Sequence, residues 1–188
     1  LYTRVTEKTK SMVYQSLIPV MNLSGTILNT NLGRAILPKQ AIQSMLEVAS
    51  NASNLEFDLN TGKRSDRNLH IESLICELTG AESAMVVNNN AAAVLLILNT
   101  LALDKEVPVS RGELVEIGGS FRIPDLMEQS GCKLIEVGTT NRTHMSDFEK
   151  AINTKTALLM KIHTSNFELK GFVKSVSHKA VSYTHLRA

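Results

Sequence analysis

Three consecutive asparagines, Asn88-Asn89-Asn90, stand between an apolar stretch, Ala84-Met85-Val86-Val87, and a run of alanines that begins at Ala91. A strand turning into a helix at that point would present the helix's first backbone N–H groups, which have no acceptor within the helix, together with the positive end of its peptide dipoles. Such a junction holds a phosphate or another anion without a charged side chain. The asparagine amides add short donors and acceptors. The same residues also fit a simpler role, in which Asn90 caps a buried helix starting at Ala91.

Other side chains able to do chemistry are scattered along the chain. The segment Asn22-Leu23-Ser24-Gly25-Thr26-Ile27-Leu28-Asn29-Thr30-Asn31-Leu32-Gly33-Arg34-Ala35 is polar, punctuated by glycine and carries a single cation. It reads either as a covering loop that brings the Arg34 fork to an anion or as an irregular lead-in with a solvated arginine. Thr61-Gly62-Lys63-Arg64-Ser65-Asp66-Arg67 is a second cationic stretch that can engage phosphate, although charge runs are usually solvated faces. His163 ends an apolar stretch, where an imidazole either faces a ligand or is hydrogen-bonded into the core. Glu113 lies in a polar loop and reads equally as a surface charge.

These residues need elements to position them. Pro38 suits a first helical turn, and Ile42, Met45, Leu46 and Ala49 recur with helical spacing, as do Ile71, Leu74, Ile75 and Leu78 ahead of Gly80. A regular alternation follows: a strand over 84–87, a helix over 91–103, a strand over 106–109 and a helix opened by Pro124 and closed by Gly131. A strand over 133–137, a helix from Ser146 with Glu149 completing a capping box, and a strand over 157–162 complete it. Strands joined by helical crossovers predict an α/β fold with a mainly parallel sheet, with room for extra turns in 110–123. Ligands of such sheets bind beyond the carboxyl ends of the strands. The segments leaving those ends, 88–90, 110–113, 138–141 and 163–166, are all polar, so a shared site on that edge is expected.

Composition removes several classes of function. The chain has 188 residues, 43% of them hydrophobic, enough for one substantial core and part of a second. With 20 Lys+Arg against 18 Asp+Glu, no global charge marks a nucleic-acid or membrane-surface binder, so any RNA contact must be local. The longest apolar run, Ala91 to Leu98, is far shorter than the roughly 20 residues needed to cross a bilayer. No secretory leader is read in the first ten residues. Cys76 and Cys132 form no metal-binding cluster and are expected in the core, which fits a reducing, cytoplasmic setting. A dinucleotide site would need GxGxxG at a strand-to-helix turn, and the asparagine turn has no glycine.

Taken together, the long motifs resemble one known family. Asn29-Thr30-Asn31-Leu32-Gly33-Arg34-Ala35, Thr61-Gly62-Lys63-Arg64, Glu77-Leu78-Thr79-Gly80-Ala81-Glu82 and Val86-Val87-Asn88-Asn89-Asn90-Ala91-Ala92-Ala93 are similar to bacterial selenocysteine synthase, the L-seryl-tRNA(Sec) selenium transferase family. So are the stretches from Ser110 to Pro124 and from Gly138 to His144. The likeness runs from about Asn22 to about Gly171, with several motifs in one order.

The resemblance implies a fold-type-I enzyme that uses pyridoxal 5'-phosphate to convert seryl-tRNA(Sec) to selenocysteinyl-tRNA(Sec), with selenophosphate as selenium donor. It implies that Asn88, Asn89, Asn90 and Ala91 cradle the cofactor phosphate, that Arg34 binds the phosphate-like donor, and that Glu113 and His163 lie around the cofactor ring. It also implies a homo-oligomer, since members form rings of dimers, in which the loop at Thr139 and Thr140 would serve either interface or active site. The amino-terminal tRNA-gripping domain, the Schiff-base lysine and the acidic partner of the pyridine nitrogen are expected outside these residues. Lys161 and Lys170 do not match that lysine's motif, so the chain alone is expected not to catalyse the full reaction.

The domain reading is a lead-in over 1–21, a partial cofactor-binding large domain over 22–176 and a tail over 177–188. The tail loses the likeness, and its last eight residues resemble translated adapter sequence; it is expected to be non-native. A sheet cut after four strands is expected to leave apolar surface open and the chain poorly soluble or dependent on a partner. Two other functions compete: a related lyase or racemase acting on a small amino acid or amino sugar acid without tRNA, and a catalytically dead interaction subunit.

Overall fold

Local sequence rules place most of the helices in the computed structural model, which describes residues 2–13, 15–119 and 121–182. The chain divides into two units, Leu1–Arg67 and Asn68–Ala188. In the first, α1 (Tyr2–Met12) occupies what reads as a lead-in; the Thr6 and Thr9 hydroxyls donate back to the carbonyls of Tyr2 and Val5. A 3-10 turn at Thr30–Leu32 is capped by Asn29, whose side chain accepts from the Asn31 N–H at 2.9 Å. Helix α2 (Lys39–Ala49) starts after Pro38, as its sequence predicts. The strands β1 (Phe57–Asp58) and β2 (Lys63–Arg64) form a short antiparallel hairpin. None of the described residues of this unit is buried, and the apolar stripe of α2, including Ile42, Met45 and Leu46, lies open within the chain.

The second unit begins with α3 (Leu69–Thr79), ended by Gly80 at φ 75°, a left-handed conformation that favours glycine. Helix α4 (Asn90–Leu101) follows the asparagine run. Strand β3 (Glu106–Ser110) pairs in parallel with β6 (Lys133–Val137), joined through the hairpin β4 (Glu116–Ile117) and β5 (Phe121–Arg122) and helix α5 (Ile123–Gln129). Helix α6 (Met145–Ala151) and the short α7 (His178–Ser182) complete the unit. The parallel pair with helical crossovers is part of an α/β fold. Two clusters form its core: Leu98, Ala102, Val107, Val109 and Met127 in one, and Val137, Phe148, Val176 and Val181 in the other. Residues 183–188 of the expected tail lie outside the described residues, whereas α7, within its first part, packs on α6.

Four local expectations are corrected. Residues 84–87 form no strand, because side chains take their N–H groups: Ala84 donates to Glu72 Oε1 at 3.4 Å and Val86 to Asn68 Oδ1 at 3.3 Å. Residues 157–162 form no ladder either. Segment 155–160 lies beside β3 in parallel through two bridges, Glu106 to Thr156 and Val109 to Met160. Three steps along β3 are thus matched by four along its neighbour, a bulge that interrupts regular pairing. Helix α6 is boxed two residues early: Asp147 Oδ2 accepts the N–H of His144 at 2.8 Å, in place of the Ser146–Glu149 pair. Finally, Asn89 caps α4, accepting from the Ala92 N–H at 2.9 Å, while Asn90 is already helical. The long segment 110–123 does hold extra turns, a 3-10 turn at Arg111–Glu113 and the β4–β5 hairpin.

Candidate functional site

At the carboxyl ends of β3, β6 and segment 155–160 the second unit has a cleft of about 380 Å³. Ser110, Gly112 and Glu113 enter it from β3, Thr140 and Thr143 from beyond β6, and Lys161 and His163 from the third segment. Three of the four polar segments therefore share one site. The asparagine run does not line it.

Packing fixes how these segments meet. Gly112 is required by close approach, since a Cβ there would stand 2.5 Å from the Thr140 carbonyl oxygen. Gly138 turns the chain after β6 at φ 69°, where a Cβ would meet the Thr143 hydroxyl at 2.6 Å. The buried hydroxyls of Ser110 and Thr143 are 2.6 Å apart and tie the two strand ends together. Arg111 and Glu136 pair outside them at 2.6 Å. On the far wall the Arg142 guanidinium lies 3.8 Å from the Phe172 ring centroid, and the Asn141 amide donates to the Phe172 carbonyl at 2.7 Å.

Glu113 is no surface charge: it is buried and ion-paired with Lys161, whose side chain is only 9% exposed. Glu113 Oε2 also accepts the Ile162 N–H at 3.1 Å. His163, next in sequence, is exposed at the cleft. Lys161 is the residue that sequence reading left aside. A sole cation within the apolar run from Ala157 to Ile162 needs a buried acid or a solvent outlet, and that was the available signal.

The α4 N-terminus is a separate feature. With Asn89 occupied by the Ala92 N–H, the N–H groups of Asn90 and Ala91 have no acceptor within the helix. They and the exposed Asn88 side chain are donors of the kind a phosphate monoester takes. Arg34 belongs to the first unit, exposed, with φ 67° directly after Gly33, and its N–H donates to the Asn29 carbonyl at 3.1 Å. Among the described residues no group of His, Cys, Asp and Glu can hold a metal ion, and no helix is long and apolar enough to cross a membrane.

The fold is shared with a protein of known structure. The structure of D-glucosaminate-6-phosphate ammonia-lyase superposes with a TM-score of 0.64 at 21% identity, over 84% of this chain and 43% of that one. The likeness shows a shared fold, and the chain carries part of a fold-type-I α/β large domain. Sequence comparison narrows the class. The family model for L-seryl-tRNA selenium transferase matches residues 20–185, and the chain belongs to that family. The L-seryl-tRNA(Sec) selenium transferase of Haemophilus ducreyi is 64% identical over 160 residues, covering 85% of this chain and 35% of the relative. That of Aquifex aeolicus is 59% identical over 172 residues, covering 92% and 38%. The chain thus spans little more than a third of the length of these curated relatives.

Proposed function

We propose that this chain is the phosphate-cradling part, over residues 22–176, of a pyridoxal 5'-phosphate-dependent enzyme that converts seryl-tRNA(Sec) to selenocysteinyl-tRNA(Sec) with selenophosphate. The observation that carries the proposal is the family match over 20–185, with relatives near 60% identity bearing that name. Bound pyridoxal phosphate would supply an electron sink for loss of the seryl α-proton. The chain's own part is to bind and orient. The Asn90 and Ala91 N–H groups at the start of α4, with the Asn88 and Asn89 amides beside them, would hold the phosphate, whose charge the helix dipole favours. Glu113 and His163 would lie around the ring, the first buried and ion-paired, the second exposed. Arg34 offers a planar fork to the tetrahedral selenophosphate. A cytoplasmic homo-oligomer is the form in which the reaction would run.

The test uses the complete gene product, assayed for selenium transfer to seryl-tRNA(Sec) and, in parallel, for elimination on small amino acids and amino sugar acids. Transfer to the charged tRNA is expected, with R34A raising the KM for selenophosphate about 10- to 100-fold, the scale of lost charge-assisted hydrogen bonds. Turnover of small substrates with none of the charged tRNA would overturn the reading. The ammonia-lyase likeness, at 21% identity, speaks for the fold alone and does not favour that second reading.

A further inference from the structure

The bulge beside β3 has a consequence at the cleft. Segment 155–160 is bound to β3 by the Glu106 N–H to Lys155, the Ala157 N–H to Glu106 and the Met160 N–H to Pro108. The one-residue slip between Thr156 and Met160 reverses the face that every later residue presents relative to β3. Met160 and Ile162 then pack on the first core cluster, while Leu159 packs on the second. Lys161 falls on the side of that second cluster, 5.9 Å from the Phe148 ring centroid, where Glu113 meets it.

Continued parallel pairing would take the Ile162 N–H to the backbone of β3. It donates instead to Glu113 Oε2, a side-chain acceptor from the turn that follows β3. We propose that Glu113 and Lys161 are positioning residues: a buried clip that carries the sheet pairing past Met160 and so sets where His163 stands in the cleft. Lys161 holds one carboxylate oxygen and leaves the other aimed at Ile162, so both charges and the peptide N–H are satisfied together. The reading deepens the proposed function, and rests on it only where ligand binding is concerned.

Two double variants of the complete gene product separate charge from hydrogen bonding. E113Q/K161M removes both charges and keeps a carbonyl acceptor for Ile162; E113L/K161M removes the acceptor as well. Hydrogen exchange of the Ile162 amide, followed by mass spectrometry without added cofactor, is expected within about twofold of wild type in the first. In the second it should be at least about tenfold faster, with pyridoxal phosphate affinity at least about tenfold weaker than in the first. Equal protection of Ile162 in both variants would overturn the clip. Wild-type protein supplies a check that depends on no variant folding: Ile162 must exchange more slowly than the exposed His163, and equal rates refute the proposal. Failure of the functional reading looks different. A protected Ile162 in a protein that binds no pyridoxal phosphate sinks the cofactor assignment and leaves the clip standing, whereas cofactor binding with an unprotected Ile162 does the reverse.

Discussion

Glu113 and Glu56 each gather two donors, yet the settings differ. Glu113 takes Lys161 and the Ile162 N–H, with both charged side chains about nine-tenths buried. Glu56 takes Arg64 and Arg67 at the base of the β1–β2 hairpin, where the arginine side chains are 85% and 67% exposed. The same chemistry is therefore worth different amounts. In the cleft, each charge has given up water and depends on its partner; on the hairpin, water replaces whichever partner leaves. The sharpest way to break the comparison is to remove one partner at a time.

K161A should have the largest effect. It leaves the Glu113 carboxylate buried and unpaired, which costs about 3–5 kcal/mol in comparable sites. Urea unfolding should show it, and a loss below 1 kcal/mol would mean that water reaches the cleft floor. Next is G112A. Its Cβ would stand 2.5 Å from backbone, so the turn or the Thr140 loop must shift, at about 1–3 kcal/mol for an overpacked position. The shift should also loosen the Ser110–Thr143 contact. N89A removes the α4 cap for about 1 kcal/mol, with phosphate binding weakened if the asparagine run is the cradle. A melting temperature equal to wild type would show that Asn88 or Asn90 takes over the cap.

How much of this could be read from the chain depended on how local each cause was. Strand β6 and the Gly80 terminus of α3 follow from runs of a few residues, and they lie where the sequence predicts. The same holds for the helix after Pro124, whose last turn is followed by Gly131 at φ 76°. The lost strand at 84–87 has a nonlocal cause: Glu72 and Asn68 capture its N–H groups from another helix turn and its cap. The bulge was hidden because segment 157–162 is apolar almost throughout, and only alternation would have exposed a change of face. Ser146 and Glu149 satisfied the capping pattern as well as His144 and Asp147 do, and the hydrogen bond chose between them. The Glu113–Lys161 pair spans 48 residues of sequence, beyond the reach of any local rule. Three polar strand ends converge as expected, and the fourth, the asparagine run, lies off the cleft.

Acid offers a milder probe of the start of β3. The Asn153 amide, then the Lys133 ammonium, hydrogen-bond the Glu106 carboxylate and hold it below the usual carboxylate range. A folded-state value below the unfolded one means that the stabilisation is present above the unfolded value, near 4.5, and is lost as pH falls through the folded value. N153A should flatten stability against pH in that window. An unchanged profile would assign the shift to Lys133 alone.

Glu56 should give the smallest response, although its ionisation is shifted in the same direction. The Arg67 hydrogen bond and charge, then Arg64, hold its carboxyl below the usual 4.5. The sign is again that of a contribution present above the unfolded value and lost as pH falls through the folded one. Here solvent screens both arginines, and each can turn to water when the carboxylate is gone. E56Q is therefore expected to melt with wild type at physiological salt and to separate from it only at low ionic strength. A clear loss at physiological salt would mean that the hairpin cluster is shielded from solvent, and the contrast with the cleft would then fail.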